Sequence, residues 1–160
     1  MIEIFVSVGS NISPKKHIAN GLNELEKHFN SLTLSPIYES IAIGFEGDNF
    51  LNLVAKFESN LDVHQVLKTL ATIEDQNGRT RDEIKFSART LDIDLLLYGQ
   101  LVINEKKLTL PRPEIYQNAF VLKPLSDIAG NLVDLKTGQT YTQLWNTFDQ
   151  SSQKLWQIEL

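Results

Sequence analysis

The order of apolar patterns along this 160-residue chain predicts an α+β fold, a mostly antiparallel sheet covered by helices. Three observations carry that expectation. Period-two alternation recurs in well-separated segments, as strands with one buried face require. Between those segments, apolar residues recur at helical spacing. Hydrophobic residues make up 42% of the chain and charged residues 22%, a globular composition that excludes collagen, coiled coil and general disorder. A chain of this length buries roughly 70% of the surface its unfolded form exposes, enough for one domain spanning 1–160 with its own core.

The first strand spans residues 2–8, with Ile2, Ile4, Val6 and Val8 on one face. Gly9-Ser10-Asn11 ends it with turn chemistry, and Ser13-Pro14 reads as an N-cap followed by proline in the first helical position. The helix continues to about His28 through Ile18, Leu22 and Leu25. Residues 32–40 form the second strand and 50–58 the third. The Gly-containing stretch 41–49 between them is a loop longer than most connections, hence a functional candidate. Asp62 caps a second helix to about Gln76, and Gly78 stops it. A charged, aperiodic loop, 79–90, leads to a strand at 91–98, with 101–104 expected to pair with that strand as a hairpin. Residues 108–110 are extended, 113–128 make helical turns, and a helix near 140–148 and a final strand near 154–159 close the chain. The order β-α-β-β-α-β is the ferredoxin-like split βαβ arrangement, here with a C-terminal helical and strand extension.

Several functional classes drop out at once. There are no cysteines, so disulfides, thiolate metal sites and Cys nucleophiles are excluded. No run of 18 apolar residues is present to make a membrane helix, and MIEIFVSVGSN reads as a strand rather than a signal peptide, so the expected location is the cytoplasm. The net charge is −5, which argues against a general nucleic-acid binder. It leaves room for a small anionic substrate held by local cations. Neither a Walker loop nor a nucleophile elbow occurs, and His17, His28 and His64 show no ligand spacing.

The chemistry concentrates in one window. The only arginines are Arg79, Arg81, Arg89 and Arg112, and three of them precede Asp92-Ile93-Asp94. On a strand, side chains at i and i+2 leave the same face about 6.6–7 Å apart, so Asp92 and Asp94 are placed to share a cation. Magnesium suits them, because it accepts one or two carboxylates together with water and substrate phosphates. Taken alone, the pair also fits two solvated acids on an open strand face. Arginine is the side chain suited to forked phosphate recognition, and Glu74 stands at the end of the helix before the arginine loop; by themselves these residues also fit a surface ion-pair cluster. Phe45, Phe50 and Asn52 lie in or beside the first long loop, where rings could stack on a planar ligand and the amide could meet a heterocycle edge, or could pack and bond locally.

In this ordered set the chain resembles the 6-hydroxymethyl-7,8-dihydropterin pyrophosphokinase family of folate biosynthesis. The resemblance runs from Gly9-Ser10-Asn11 through Tyr38 and Phe50-Leu51-Asn52. It is strongest at Glu74, Gly78-Arg79-x-Arg81 and Arg89-Thr90-Leu91-Asp92-Ile93-Asp94. It closes on Leu108-Thr109-Leu110-Pro111, Ala119-Phe120-Val121-Leu122 and Pro124-Leu125. It implies transfer of the β,γ-diphosphate of ATP to the hydroxymethyl oxygen of the reduced pterin, with release of AMP. It implies two Mg²⁺ ions on Asp92 and Asp94, and catalytic arginines at Arg81 and Arg89 with Arg79 in support. The implied ATP site comprises Glu74, Arg81, Phe86, Arg89, Lys107, Thr109 and Arg112. The implied pterin site comprises Gly9, Ser40, Ile41, Ile43, Phe50, Asn52 and Phe120. The implied partners are these two small molecules, with no nucleic acid or membrane, and the implied state is a monomer.

The chain also departs from the family pattern. Phe86-Ser87-Ala88 stands where an aromatic followed by Gly-Pro is usual, Arg112 where His is frequent, and Asn118 and Asp82 where basic residues are common. These departures leave a second expectation open, a divergent paralogue that binds Mg-nucleotide or pterin with weak or no activity. An RNA-binding module on the same scaffold is disfavoured by the acid balance and by the Asp92/Asp94 face.

Overall fold

The computed structural model describes residues 1–41, 48–78 and 90–160. Its long strands are β1 (Ile2–Ser10), β3 (Ile37–Ser40), β4 (Phe50–Ser59) and β5 (Asp92–Tyr98), and β8 (Leu155–Ile158) adds an edge. They lie in the order β5-β1-β4-β3-β8, each antiparallel to its neighbour, and the short β2 (Thr33–Leu34) pairs beside β3 on β4. The expected α+β class with a helix-covered antiparallel sheet is what the chain adopts. β1 and β3 are separated by β4, which returns between them.

One face of the sheet carries Ile4, Val6, Val8, Leu53, Ile93 and Leu95 against α1 (Pro14–Phe29) and α2 (Val63–Gln76). Phe29 of α1 stacks on Phe57 of β4 with ring centroids 4.1 Å apart. Among the described residues, the other face is covered over only part of its length. There Phe5, Val54, Leu96 and Leu97 meet α4 (Ala119–Ala129) and α5 (Tyr141–Thr147). A register shift after Phe5 leaves Leu96 as an extra residue in β5, and this bulge lets Leu96 and Leu97 both join the second cluster.

Local chemistry sets most element ends. Asp62 accepts from the Gln65 amide, and Gln65 returns the bond to the Asp62 amide, a complete capping box for α2. Gly78 takes φ +79°, the left-handed conformation expected of a helix stop. Ser13 does not cap α1 through its side chain; it sits at φ 42° with only its backbone engaged. Three other expectations need correction. The segment 32–40 is two strands, not one, because the Ser35 hydroxyl and amide bond to Val54 and interrupt the ladder before Pro36. Residues 101–104 do not pair with β5: β6 (Ile103–Asn104) pairs with β7 (Thr109–Leu110) in a separate two-stranded sheet. The helical turns after Pro113 break into α3 (Glu114–Gln117) and α4, because Asn118 is extended.

Candidate active site

In-register residues of neighbouring strands share a sheet face. One such row runs Asp92, Gly9, Asn52, Tyr38, Gln157 across β5, β1, β4, β3 and β8. Asp94 opposite Ser7, and Ser40 opposite Phe50, flank that row on the same face. These residues cluster where β1 and β3 finish and β4 and β5 start. This is the end of the second face that the Phe5 cluster leaves open.

Gly9 and Asn52 are fitted to one another. A Cβ on residue 9 would lie 2.3 Å from the Asn52 amide nitrogen, so only glycine lets that amide rest over β1. Asn52 is buried, and its Oδ1 has no hydrogen-bond partner. A buried acceptor without a donor costs about 1–3 kcal/mol, which a ligand N–H would recover.

The acid pair is held from behind. The Glu74 carboxylate, on the last turn of α2, accepts the Ile93 N–H at 2.8 Å, between the two aspartates. Glu74 was expected beside the nucleotide; it is 5% exposed, and one of its oxygens is engaged with the strand. In front, the Arg112 guanidinium lies 3.6 Å from Asp94 Oδ1 and its Nε bonds to Glu114. Burial pushes the Asp94 carboxyl up to about 8, with Asp92 adding to the rise, Arg112 opposing it, and Glu74 and Glu114 pushing further. With 31% of the side chain open to solvent, water screens part of this push. Arg112 is lowered by its own burial, but Asp94 and Glu114 outweigh that and hold it fully charged. Among the described residues no group of three or more His, Asp or Glu side chains gathers as a metal site. A cation here would rest on two carboxylates that repel one another, the ligand number magnesium accepts when water and phosphate complete its shell.

A cavity of about 260 Å³ lies alongside, lined by Ser40, Ile41, Phe120, Gln153 and Leu155 among others. Phe120 is on the first turn of α4. That helix is tied to the sheet by Tyr38, whose hydroxyl donates to Asp127, and Lys123 bonds to the other Asp127 oxygen at 2.9 Å. A larger hollow of about 780 Å³, lined by Lys15, Glu39 and Leu51 among others, opens on the opposite sheet face and contains none of the expected residues. Volume alone therefore does not locate the chemistry; the convergence of polar groups does.

The structure thus brings Gly9, Asn52, Phe50, Ser40, Asp92 and Asp94 to one face and one end, with Ile41 and Phe120 in the adjoining cavity. Arg112 joins them, although the sequence placed it far from the arginine loop. Lys107 is exposed in the β6–β7 turn, and Thr109 of β7 donates to the Glu105 carbonyl at 3.3 Å. Ile43, Phe45, Arg79, Arg81, Asp82, Phe86, Ser87, Ala88 and Arg89 lie outside the described residues. Sequence reasoning missed Glu114 and the C-terminal wall of the cavity. Glu114 had a signal, an acid two residues from Arg112. The wall had none, because its neighbours come from the other end of the chain.

Among the described residues, an antiparallel sheet with an acid pair and an orphaned amide on one end has the form of a small-molecule site. The profile described as 7,8-dihydro-6-hydroxymethylpterin-pyrophosphokinase (HPPK) matches residues 5–130, and the chain belongs to this family. It is 34% identical over 152 residues to the 2-amino-4-hydroxy-6-hydroxymethyldihydropteridine pyrophosphokinase of Haemophilus influenzae, covering 92% of this chain and 94% of that one. It is 33% identical to the enzyme of the same name from Aquifex aeolicus, covering 83% and 84%. The crystal structure of Plasmodium falciparum HPPK-DHPS wild type with SDX-DHP has the same fold, at a TM-score of 0.72 and 14% identity. That match covers 91% of this chain but spans 43% of the Plasmodium chain.

Proposed function

We propose that this protein is an Mg²⁺-dependent pyrophosphokinase that moves the β,γ-diphosphate of ATP to the hydroxymethyl oxygen of 6-hydroxymethyl-7,8-dihydropterin and releases AMP. The observation that carries the reading is the placement of Asp92 and Asp94 on the same face and end of the sheet as Asn52 and the Phe120 cavity. A metal-bound phosphate and a pterin would meet there.

Asn52 offers its unpaired oxygen to a pterin N–H, while Ser40 and Ile41 border the ring and Phe120 and Phe50 flank it. Ile43 is assigned to the same subsite. Asp92 and Asp94 hold two Mg²⁺ ions, and Glu74 keeps the strand between them fixed, on the nucleotide side of the site. When bound, the ions screen phosphate charge and lower the hydroxyl pKa, so no side-chain base is required. Arg112, Lys107 and Thr109 approach the ATP from the β6–β7 side. Arg81 and Arg89, supported by Arg79, neutralise charge on the group in flight, and Phe86 is assigned with them to the ATP site. The reading extends to a monomer in the cytoplasm; no helix among the described residues is long and apolar enough to cross a membrane.

The deciding experiment is AMP formation from ATP and the pterin by wild type and Asp94→Ala, with and without Mg²⁺. Removing one of the carboxylates assigned to the metal should lower kcat at least about 100-fold; unchanged turnover would remove the metal assignment. A second reading, a protein that binds both substrates but turns them over weakly, is favoured by Arg112, whose guanidinium already stands 3.6 Å from Asp94. Calorimetry with an Mg-ATP analogue and pterin, beside the turnover assay, separates the two.

A further inference from the structure

The matched family region ends at residue 130, yet the cavity beside Phe120 is closed by Ser151, Ser152, Gln153, Lys154 and Leu155. We infer that this C-terminal segment is a working wall of the pterin subsite, with Gln153 as the positioning residue that sets Phe120 against the ring. The inference rests on the pterin reading above.

Gln153 is a two-sided clamp. Its Oε1 accepts the Ala119 N–H at 2.8 Å, and its Nε2 donates to the Gln117 carbonyl at 2.8 Å. Both partners sit at the break between α3 and α4, on either side of the extended Asn118. The side chain of Asn118 makes no cap bond, so the first turn of α4 takes its cap from a residue 34 positions away along the chain. Phe120 follows Ala119 directly, so the direction of its ring depends on that turn. The clamp is anchored in its own right: β8 begins two residues later and pairs with β3, where Leu155 stands opposite Ser40. One continuous stretch of chain therefore sets the Ser40 wall and the Phe120 wall at a fixed separation. Further along, Tyr38 and Asp127 hold α4 to the same strand, so the helix is fixed at two points and the aromatic at its start has little freedom.

The test is steady-state kinetics with both substrates, together with direct pterin binding followed by fluorescence in the presence of a non-hydrolysable Mg-ATP analogue. Gln153→Ala should raise KM and Kd for the pterin about three- to tenfold, the size of one or two neutral hydrogen bonds, and leave KM for ATP within about twofold. Gln153→Glu keeps an acceptor for Ala119 but opposes the Gln117 carbonyl, and should fall between wild type and alanine. Trp156→Ala is the control. Trp156 lies on β8, 41% exposed and opposite Glu39, so truncating it removes an exposed side chain and keeps the main-chain pairing that anchors the clamp. It should leave pterin affinity unchanged. Equal shifts in the Gln153 and Trp156 variants, or no shift with Gln153→Ala, would overturn the inference. Wild type that binds pterin without turnover would refute the catalytic reading alone, since the binding arm still tests the clamp; wild type that binds no pterin refutes both.

Discussion

Gly9 has no side chain, and the space this leaves is filled by the Asn52 amide, whose nitrogen lies 2.3 Å from where a Cβ would be. Gly9→Ala would turn that amide away, and with it the only unpaired buried side-chain oxygen of the described row. Because a side-chain end can move while backbone cannot, stability should fall by only about 1 kcal/mol. The pterin KM should rise by about tenfold, the loss of one buried hydrogen bond. Urea unfolding and a pterin titration of the same variant check the two halves. An equal loss of ATP affinity would show that Asn52 acts on the site as a whole.

At the scale of elements, the C-terminal extension hangs on one acid. Asp134 is fully buried and accepts from the hydroxyls of Tyr116 at 2.6 Å and Tyr141 at 2.9 Å, and from the Thr137 amide and hydroxyl at 2.8 and 2.7 Å. It joins α3 to α5 and to the turn between α4 and α5. Asp134→Ala leaves two buried phenols without an acceptor and should lower unfolding free energy by about 2–4 kcal/mol. Denaturant melts measure this, and a change below about 0.5 kcal/mol would contradict the network. Little of it was legible beforehand. The long strands and the first two helices could be read because period-two and helical spacing report local burial. The acid pair was equally visible, since i and i+2 on a strand share a face whatever the rest does. Pairing partners are non-local, and so β6 was assigned to the wrong neighbour. Asn118 gave no sign that an extended residue would split a helix, and nothing in Ser151 to Leu155 announced a neighbour near Ala119. The arginines assigned to the nucleotide, Arg79, Arg81 and Arg89, lie outside the described residues and stay an expectation from composition and spacing.

For the molecule as a whole, acid crowding couples pH and stability. The folded Asp94 carboxyl sits above its ordinary value, at about 8. Between the ordinary carboxylate range, about 3.9, and that value the folded protein holds more protons than the unfolded chain. Without metal, stability should therefore decline as pH rises through this window. Asp94→Asn removes the effect: the variant should match wild type near pH 4 and melt higher near pH 8 in EDTA. Added Mg²⁺ should raise the wild-type Tm and leave the variant unmoved. Parallel melting curves for the two proteins from pH 4 to 8 would contradict this. The same acid cluster has a second consequence through Glu74. β5 is a rim of the sheet, and Ile93 turns a main-chain N–H outward there, where a strand from a neighbouring molecule would add on. A carboxylate from within the molecule occupies that donor first, so a strand arriving at the rim beside Asp92 and Asp94 finds the Ile93 N–H already taken.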